Sequence, residues 1–567
     1  MLATLTINKI VFSAGRDPSD SPLVLDPSEV TVLVGPNNSG KSLALREIES
    51  ACRAENRTHK VISDVDANWP ADAAEGLTLI RAFESETPPG SVTAPGQFWV
   101  KSPQFHKQSH IHQTQIQLEH LMGVLTRRDI RALFAYFGPL YTVRLDGRTR
   151  FALTDPKPSG DLQRKPENHL WALMVDAAAR AEVRRLTEEA FSGLYFLVDA
   201  TGIQTFRIRL SNRPPFDEAE EQAFDQRARE FHNAATLIED FSDGVRAFVG
   251  LISALLGLPH RIILIDEPEA FLHPPLARRL GYDMATLARN RGASLLTATH
   301  SAEFLFGCLE ATTALNVVRL TYEGGAATAR ALSSSDLTMM ATDPLLRSTG
   351  MLRALFHRAA IISESDMDRA FYDEINRRLA AEDRGITDAL FLNAQGKDSI
   401  HRMIKPLRHI GIPAVAIVDL DLVVADVTFG NTLDACQVPV SEHPRLEADR
   451  NWLAGRFDAL PTLPDGAKQI KRKGLNALAV ADRPRAEAFL MELQRYGLFL
   501  LPGGEVESWL RSLGVDGHGP KWLVSIFKRI GRSESESYYL RPGSDDVWEF
   551  LDSAAAWVAN PARLGTE

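Results

Sequence analysis

At 567 residues the chain exceeds what one ordinary core holds, and roughly two to four domains are expected. Its 44% hydrophobic and 24% charged residues are ordinary for a soluble globular protein, and the formal charge of −10 gives no overall mark of a nucleic-acid binder. Cys52, Cys308 and Cys436 form no CxxC pair, which argues against a disulfide framework or a zinc site and fits a reducing compartment.

The opening MLATLTINKIVF alternates like a strand and lacks the layout of a signal peptide, and no run of about 18 apolar residues occurs anywhere. A cytoplasmic protein without a membrane span is expected. The pattern predicts an N-terminal strand pair, a buried strand from Val30 to Val34, a glycine-rich turn and a helix. Residues 60–230 read as a mixed insertion with helical stretches such as 116–136. Two hairpins are expected there: LYTVRLDGRTRFAL turning at Asp146-Gly147, and YFLVDATGIQTFRIRL turning near Thr201-Gly202. From about 240 to 320 the order is helix, strand, helix, strand. A connection near 335–350 leads to a second alternating α/β block, and the end of the chain looks mainly helical. The expected domains are 1–345, 355–530 and a helical tail over 531–567.

Gly35-Pro-Asn-Asn38-Ser-Gly40-Lys41-Ser42 fits G-x-x-x-x-G-K-[ST], with an apolar strand before it and a helix after it. The glycines let backbone N–H groups and a helix N-terminus face a phosphate. Lys41 would reach the β- and γ-phosphates of ATP, and the Ser42 hydroxyl would ligate Mg²⁺. Downstream, Arg261-Ile-Ile-Leu-Ile-Asp266-Glu267-Pro268 is an apolar strand that delivers Asp266 to hold Mg²⁺ and Glu267 to polarise an attacking water. Ser294-Leu-Leu-Thr-Ala-Thr-His300-Ser is a strand ending in a histidine that could contact the γ-phosphate. Phe241-Ser242-Asp-Gly244 opens a helix just before the Asp266 strand. This ordered set resembles the ABC ATPase superfamily in its SMC-like and RecF-like branch. The resemblance implies that Ser242 and Gly244 complete the ATP site of the opposite subunit, so that hydrolysis needs a head-to-tail dimer. It also implies a glutamine loop, for which Gln97 and Gln104 are both open.

The block after 355 carries different chemistry. Ala359-Ala-Ile-Ile-Ser-Glu364 is an apolar strand ending in a carboxylate, and Asp366 and Asp368 open the next helix, where helix capping is the plain explanation. ALFLNAQGKDSI runs a strand into a Gly396-Lys397 turn. Ala414-Val-Ala-Ile-Val-Asp419-Leu-Asp421 is a third apolar strand, ending in D-x-D. Residues i and i+2 of a strand share a side, so Asp419 and Asp421 could converge on one metal, with Glu364 joining from an adjacent strand. Oxygen ligands without His or Cys select Mg²⁺ or Mn²⁺. The series resembles the Toprim domain, with Ser365 standing where that family usually has glycine. Farther on, Lys468-Gln-Ile-Lys471-Arg472-Lys473 reads equally as a solvated loop or a DNA-facing patch.

An ABC ATPase followed by Toprim on one chain, over about residues 1–530, resembles the overcoming-lysogenization-defect (OLD) family of nucleases, some of which serve in anti-phage systems such as Gabija. The resemblance implies an α/β architecture: an ABC-type ATPase domain with mixed and helical insertions, then a Rossmann-like Toprim domain and a helical tail. It implies a homodimer or higher oligomer that cuts DNA under ATP control, with ATP, Mg²⁺ and, at the nuclease site, Mn²⁺ as an option. A separately encoded helicase or defence partner is implied in the same way. Glu364, Asp368, Asp419 and Asp421 would hold two ions, with Glu507 or Glu505 as the late acid and Lys521 or Lys528 as the lysine. Two other classes stay open, an ATP-driven DNA clamp with a non-catalytic Toprim domain and a Toprim nuclease acting on RNA.

Overall fold

A computed structural model describes residues 4–102, 113–147, 149–464 and 468–566. The chain divides into two compact units, Met1–Ser334 and Ser335–Glu567. Among the described residues no helix is long and apolar enough to cross a membrane.

In the first unit, β3 (Val30–Val34), β8 (Thr142–Leu145), β13 (Ile262–Asp266), β14 (Ser294–Ala298), β15 (Leu315–Glu323) and β16 (Ala326–Leu332) form the central sheet in the order β16-β15-β3-β14-β13-β8. Its pairings are parallel except for the β15–β16 hairpin. VTVLV and IILID explain this arrangement, since strands covered on both faces read as continuous apolar runs rather than as alternating ones. Smaller antiparallel sheets surround it. One joins β1 (Ile7–Phe12), β2 (Val24–Leu25) and β4 (Ile62–Ala67); another joins β5 (Glu84–Ser85), β6 (Gln97–Lys101) and β7 (Gln113–Gln117). A third joins β10 (Tyr195–Asp199), β11 (Thr205–Ser211) and β12 (Thr236–Leu237), with β9 (Lys157–Pro158) on β11. The helices that carry the site are α1 (Lys41–Cys52), the short α2 (Thr149–Ala152), α3 (Asp243–Gly257), α4 (Pro274–Arg291) and α5 (Ala302–Ala311).

Of the two expected hairpins, the second forms, with Tyr195 opposite Ser211 and Asp199 opposite Arg207. The first does not. Thr142–Leu145 instead enters the central sheet, with Leu145 beside Ile265 of β13. The Asp146 carboxylate accepts the Thr149 amide at 3.0 Å and so starts a helical turn where a returning strand was expected. An Asp-Gly pair signals a change of direction, but the side-chain bond to the third residue on selects a helix start.

The second unit holds β17 (Ala359–Ser363), β18 (Ala389–Asn393), β19 (Ala414–Val418) and β20 (Leu498–Leu500) in the order β18-β17-β19-β20, all parallel. The connecting helices α6 (Asp366–Ala380) and α7 (Lys397–His409) follow β17 and β18. The long segment between β19 and β20 is helical and includes α8 (Gln469–Lys473). The helices α9 (Pro520–Ile530) and α10 (Asp546–Ala559) close the chain. They are no loose appendage: Trp522, Ile526, Ile530, Val547, Trp548 and Leu551 share one buried core with Phe371 and Ile375 of α6 and with Val415 and Phe499 of the sheet. Full burial of a side chain such as Ile526 contributes about 1.5–3 kcal/mol. The buried Arg378 adds polar anchors, donating to the carbonyls of Ile530 and Leu540 at 2.9 and 2.8 Å.

Candidate active sites

The first site is built where β3 turns into α1. Gly35, Asn38 and Gly40 have φ of +140, +60 and +94°, and Gly40 is the residue that opens α1. Such left-handed positions turn amides inward into an anion-binding concavity. Lys41 is buried, and its Nζ donates to the carbonyls of Gly35 and Pro36, both at 2.8 Å. The Ser42 hydroxyl donates to Asp266 Oδ1 at 3.0 Å, bringing together two motifs 224 residues apart. Burial pushes the Asp266 carboxyl above its ordinary range, against the Ser42 hydrogen bond.

Glu267, directly after β13, is exposed and lies in the left-handed region at φ +50°. Its Oε1 is 3.6 Å from Nε2 of His300. Glu269 fixes the exit of β14, accepting the Thr299 hydroxyl and the His300 amide, both at 2.8 Å. Ser242 and Gly244 open α3, and a Cβ on Gly244 would lie 3.0 Å from the Phe271 carbonyl, so this turn of α3 meets the loop after β13. Gln97 sits in the small β5-β6-β7 sheet, where its side-chain oxygen accepts from Gln115 and from the Ala94 amide. Gln104 lies outside the described residues. Arg150, which carries no motif, lies with its buried guanidinium against the carbonyls of Asp266, Glu267 and Ala270.

The second site gathers at the carboxyl ends of β17 and β19. The Asp419 amide donates to Glu364 Oε1 at 2.9 Å. Oxygens of Glu364, Asp419 and Asp421 all lie within 4.8 Å of one another. Asp421 is only 7% exposed, and its Oδ1 has no hydrogen-bond partner among the described residues. Asp368 forms a capping box with Ser365 at the start of α6. Burial pushes Glu364, Asp419 and Asp368 upward in pKa, and the crowding of like charges adds to it.

Beyond β20, Glu505, Glu507 and the exposed His518 form a second group with ligand atoms within 4.8 Å. His518 Nδ1 is 2.7 Å from Glu507 Oε1, which also accepts the Gly519 amide at 2.8 Å. The cations among these acids are Lys397, 2.8 Å from Asp421 Oδ2, and Lys471, 3.4 Å from Asp421 and 3.2 Å from Glu505. Burial works against the charge of Lys471, but Asp421 and Glu505 outweigh it and hold the ammonium above its ordinary pKa. Lys521 and Lys528 are exposed on α9. Lys471 reaches the acids because α8 is docked on the loop after β20. Gly504 has φ +106°, and a Cβ there would stand 2.1 Å from the Lys471 carbonyl. The Leu475 amide donates to Pro502 at 2.8 Å from the other side of the same contact. Neither Lys471 nor His518 belongs to a recognisable spacing; the lysine-rich run Lys468–Lys473 is the signal the sequence offers for Lys471.

Comparison with known proteins matches a stretch of each unit to a described family. The family described as "AAA domain, putative AbiEii toxin, Type IV TA system" matches residues 138–305, which span β8, Asp266, Glu267 and His300. The family described as "Overcoming lysogenization defect protein-like, TOPRIM domain" matches residues 355–421, from before Glu364 to Asp421. Among curated proteins none matches the chain. Solved SMC heads are distantly similar. The SMC head domain from Thermotoga maritima is 15% identical over 58% of this chain and 100% of that one, with a TM-score of 0.27. An Smc head with an extended coiled coil, bound to the C-terminal domain of ScpA derived from Pyrococcus furiosus, is 12% identical over 60% and 99%, with a TM-score of 0.34.

The chain therefore contains an AAA-type ATPase domain followed by an OLD-like Toprim domain. That is the arrangement of the overcoming-lysogenization-defect ATPase–Toprim nucleases.

Proposed function

We propose that this chain is a metal-dependent DNA endonuclease controlled by ATP. The observation that carries the proposal is the convergence of Glu364, Asp419 and Asp421 at the carboxyl ends of two adjacent parallel strands, with the buried Asp421 Oδ1 unpartnered among the described residues. Acids that crowd one another, with a buried oxygen left for a ligand, fit hard divalent cations such as Mg²⁺ or Mn²⁺. When bound, two such ions supply an activated water and stabilise the leaving oxygen in phosphodiester cleavage.

The residues divide that work. Glu364, Asp419 and Asp421 hold one position, and Asp368 supports it from the first turn of α6. Glu505 and Glu507 serve as late acids, and His518 leans on Glu507. Lys471 and Lys397 take the role expected of Lys521, neutralising charge that develops on the scissile phosphate. In the ATPase unit, the amides of the Gly35–Gly40 loop and Lys41 bind the phosphates, Ser42 and Asp266 hold Mg²⁺, Glu267 polarises water and His300 approaches the γ-phosphate. Ser242 and Gly244 would complete the nucleotide site of a second copy, which makes the working form at least a homodimer. A role in anti-phage defence with a separately encoded partner follows from the family likeness alone, and a cytoplasmic setting from the cysteine pattern.

The test is cleavage of labelled duplex DNA, single-stranded DNA and RNA with Mn²⁺, with and without ATP. Cutting of DNA, modulated by ATP, supports the proposal. Cutting confined to RNA would move the assignment to an RNA nuclease, and binding of DNA without cleavage to an ATP-driven clamp.

A further inference from the structure

Glu267 occupies a backbone region that residues other than glycine seldom adopt, with φ at +50°. Such a conformation persists only where the surroundings over-determine it. Backbone bonds hold part of this turn, the Glu267 amide donating to Ala298 at 2.8 Å and the Ala270 amide to Glu267 at 3.0 Å, and one side chain adds to them. Arg150 is 1% exposed, and its guanidinium donates to the Asp266 carbonyl at 3.2 Å, to the Glu267 carbonyl, and to the Ala270 carbonyl at 3.0 Å. One rigid, planar donor group thus spans the turn on both sides of Glu267. Burial draws the Arg150 pKa down, and the carboxylates of Glu269, Glu267 and Asp266 oppose that, so the charge is tied to the same turn.

The corner that presents Arg150 is itself anchored. Asp146 starts it, and Phe151 packs its ring 5.0 Å from that of Phe271, on the loop after β13. The Arg246 guanidinium of α3 lies 5.0 Å from the Phe151 centroid, two residues beyond Gly244. The β8–α2 corner therefore touches both the turn that carries Glu267 and the opening turn of α3.

We propose that Arg150 is a positioning residue for ATP hydrolysis, holding Glu267 in its left-handed conformation so that the carboxylate is aimed at the attacking water. This rests on the assignment of nucleotide hydrolysis to this site. It separates from substrate binding, because Arg150 bonds to the carbonyls after β13 and has no part in the phosphate loop.

The test measures steady-state ATPase activity and the affinity for a fluorescent ATP analogue in wild type, Lys41→Ala, Arg150→Lys, Glu267→Gln and the Arg150→Lys/Glu267→Gln double variant. Arg150→Lys should lower kcat by about a hundredfold, as a misplacement of about 1 Å does, with analogue affinity within about threefold of wild type. Because Arg150 acts through Glu267, adding Arg150→Lys to Glu267→Gln should cost almost nothing further in kcat. Phe151→Leu, which loosens the corner without removing a buried charge, should give an intermediate loss and decides the matter if Arg150→Lys does not fold. Unchanged kcat in Arg150→Lys, or additive losses in the double variant, would overturn the proposal, as would full activity of Phe151→Leu beside an unfolded Arg150→Lys. Absence of any Lys41-dependent hydrolysis in wild type would instead defeat the underlying assignment.

Discussion

The backbone amide of Asp419 donates to the Glu364 carboxylate at 2.9 Å, linking the ends of two strands whose acids otherwise repel one another. Burial pushes both carboxyls up, with the charges of Asp421 and Asp368 adding to it at Glu364 and those of Glu364, Asp368 and Asp421 at Asp419. The folded state therefore holds protons that the unfolded chain releases near pH 4, and this contribution to stability is lost as pH rises through the elevated folded values. In metal-free protein the melting temperature of the second unit should fall from mildly acidic to alkaline pH, and Mn²⁺ should raise it more at pH 8 than at pH 5.5. Asp419→Asn removes the need to protonate this acid on folding and should stabilise the metal-free protein at pH 8 by about 2 kcal/mol, roughly 4–8 °C. A lower melting temperature for Asp419→Asn at that pH contradicts this account of the site.

Lysine 471 offers a sharper contrast. Its ammonium reaches Asp421 and Glu505, whereas Lys521 is exposed at the start of α9. Lys471→Gln should reduce cleavage by ~10–100-fold, and Lys521→Gln should leave it within about twofold. Comparable losses in both variants would return the catalytic role to α9.

At the nucleotide site, Lys41 is buried with its amine on the loop carbonyls, and Ser42 bonds to Asp266. Lys41→Ala should lower ATP turnover by about a hundredfold or more and abolish any ATP effect on cleavage. The metal-dependent cutting itself should remain in Lys41→Ala if the Toprim unit alone performs the chemistry. Loss of cutting without ATP present would show that the two activities are not separable.

Much of both sites is legible in the sequence because their residues stand at fixed offsets from buried strands. Val30–Val34 and Ile262–Asp266 are continuous apolar runs, and the residues at their ends are carried to the edge of a parallel sheet whatever the intervening chain does. The same holds for Glu364 and Asp419. The misread segment is Thr142–Leu145, whose Asp-Gly turn suggests a local return. Its partner is β13, far downstream, and only the full sheet reveals the pairing. Arg150 is hidden for the same reason, since its acceptors are backbone carbonyls that leave no mark in the sequence. Lys471 lies in a long helical segment, and its approach to Asp421 depends on Gly504 admitting the carbonyls of α8. A lysine-rich run reports charge, not where tertiary docking delivers it.

The central claim is metal-dependent phosphodiester cleavage by the Glu364–Asp419–Asp421 centre. Its most direct test is nicking of supercoiled plasmid by the purified chain with Mg²⁺ or Mn²⁺, with and without ATP, beside an Asp419→Ala/Asp421→Ala variant. The account predicts nicking that needs the metal, responds to ATP and disappears in the variant. Equal nicking by the variant, or none by wild type under every metal and nucleotide condition, would contradict it.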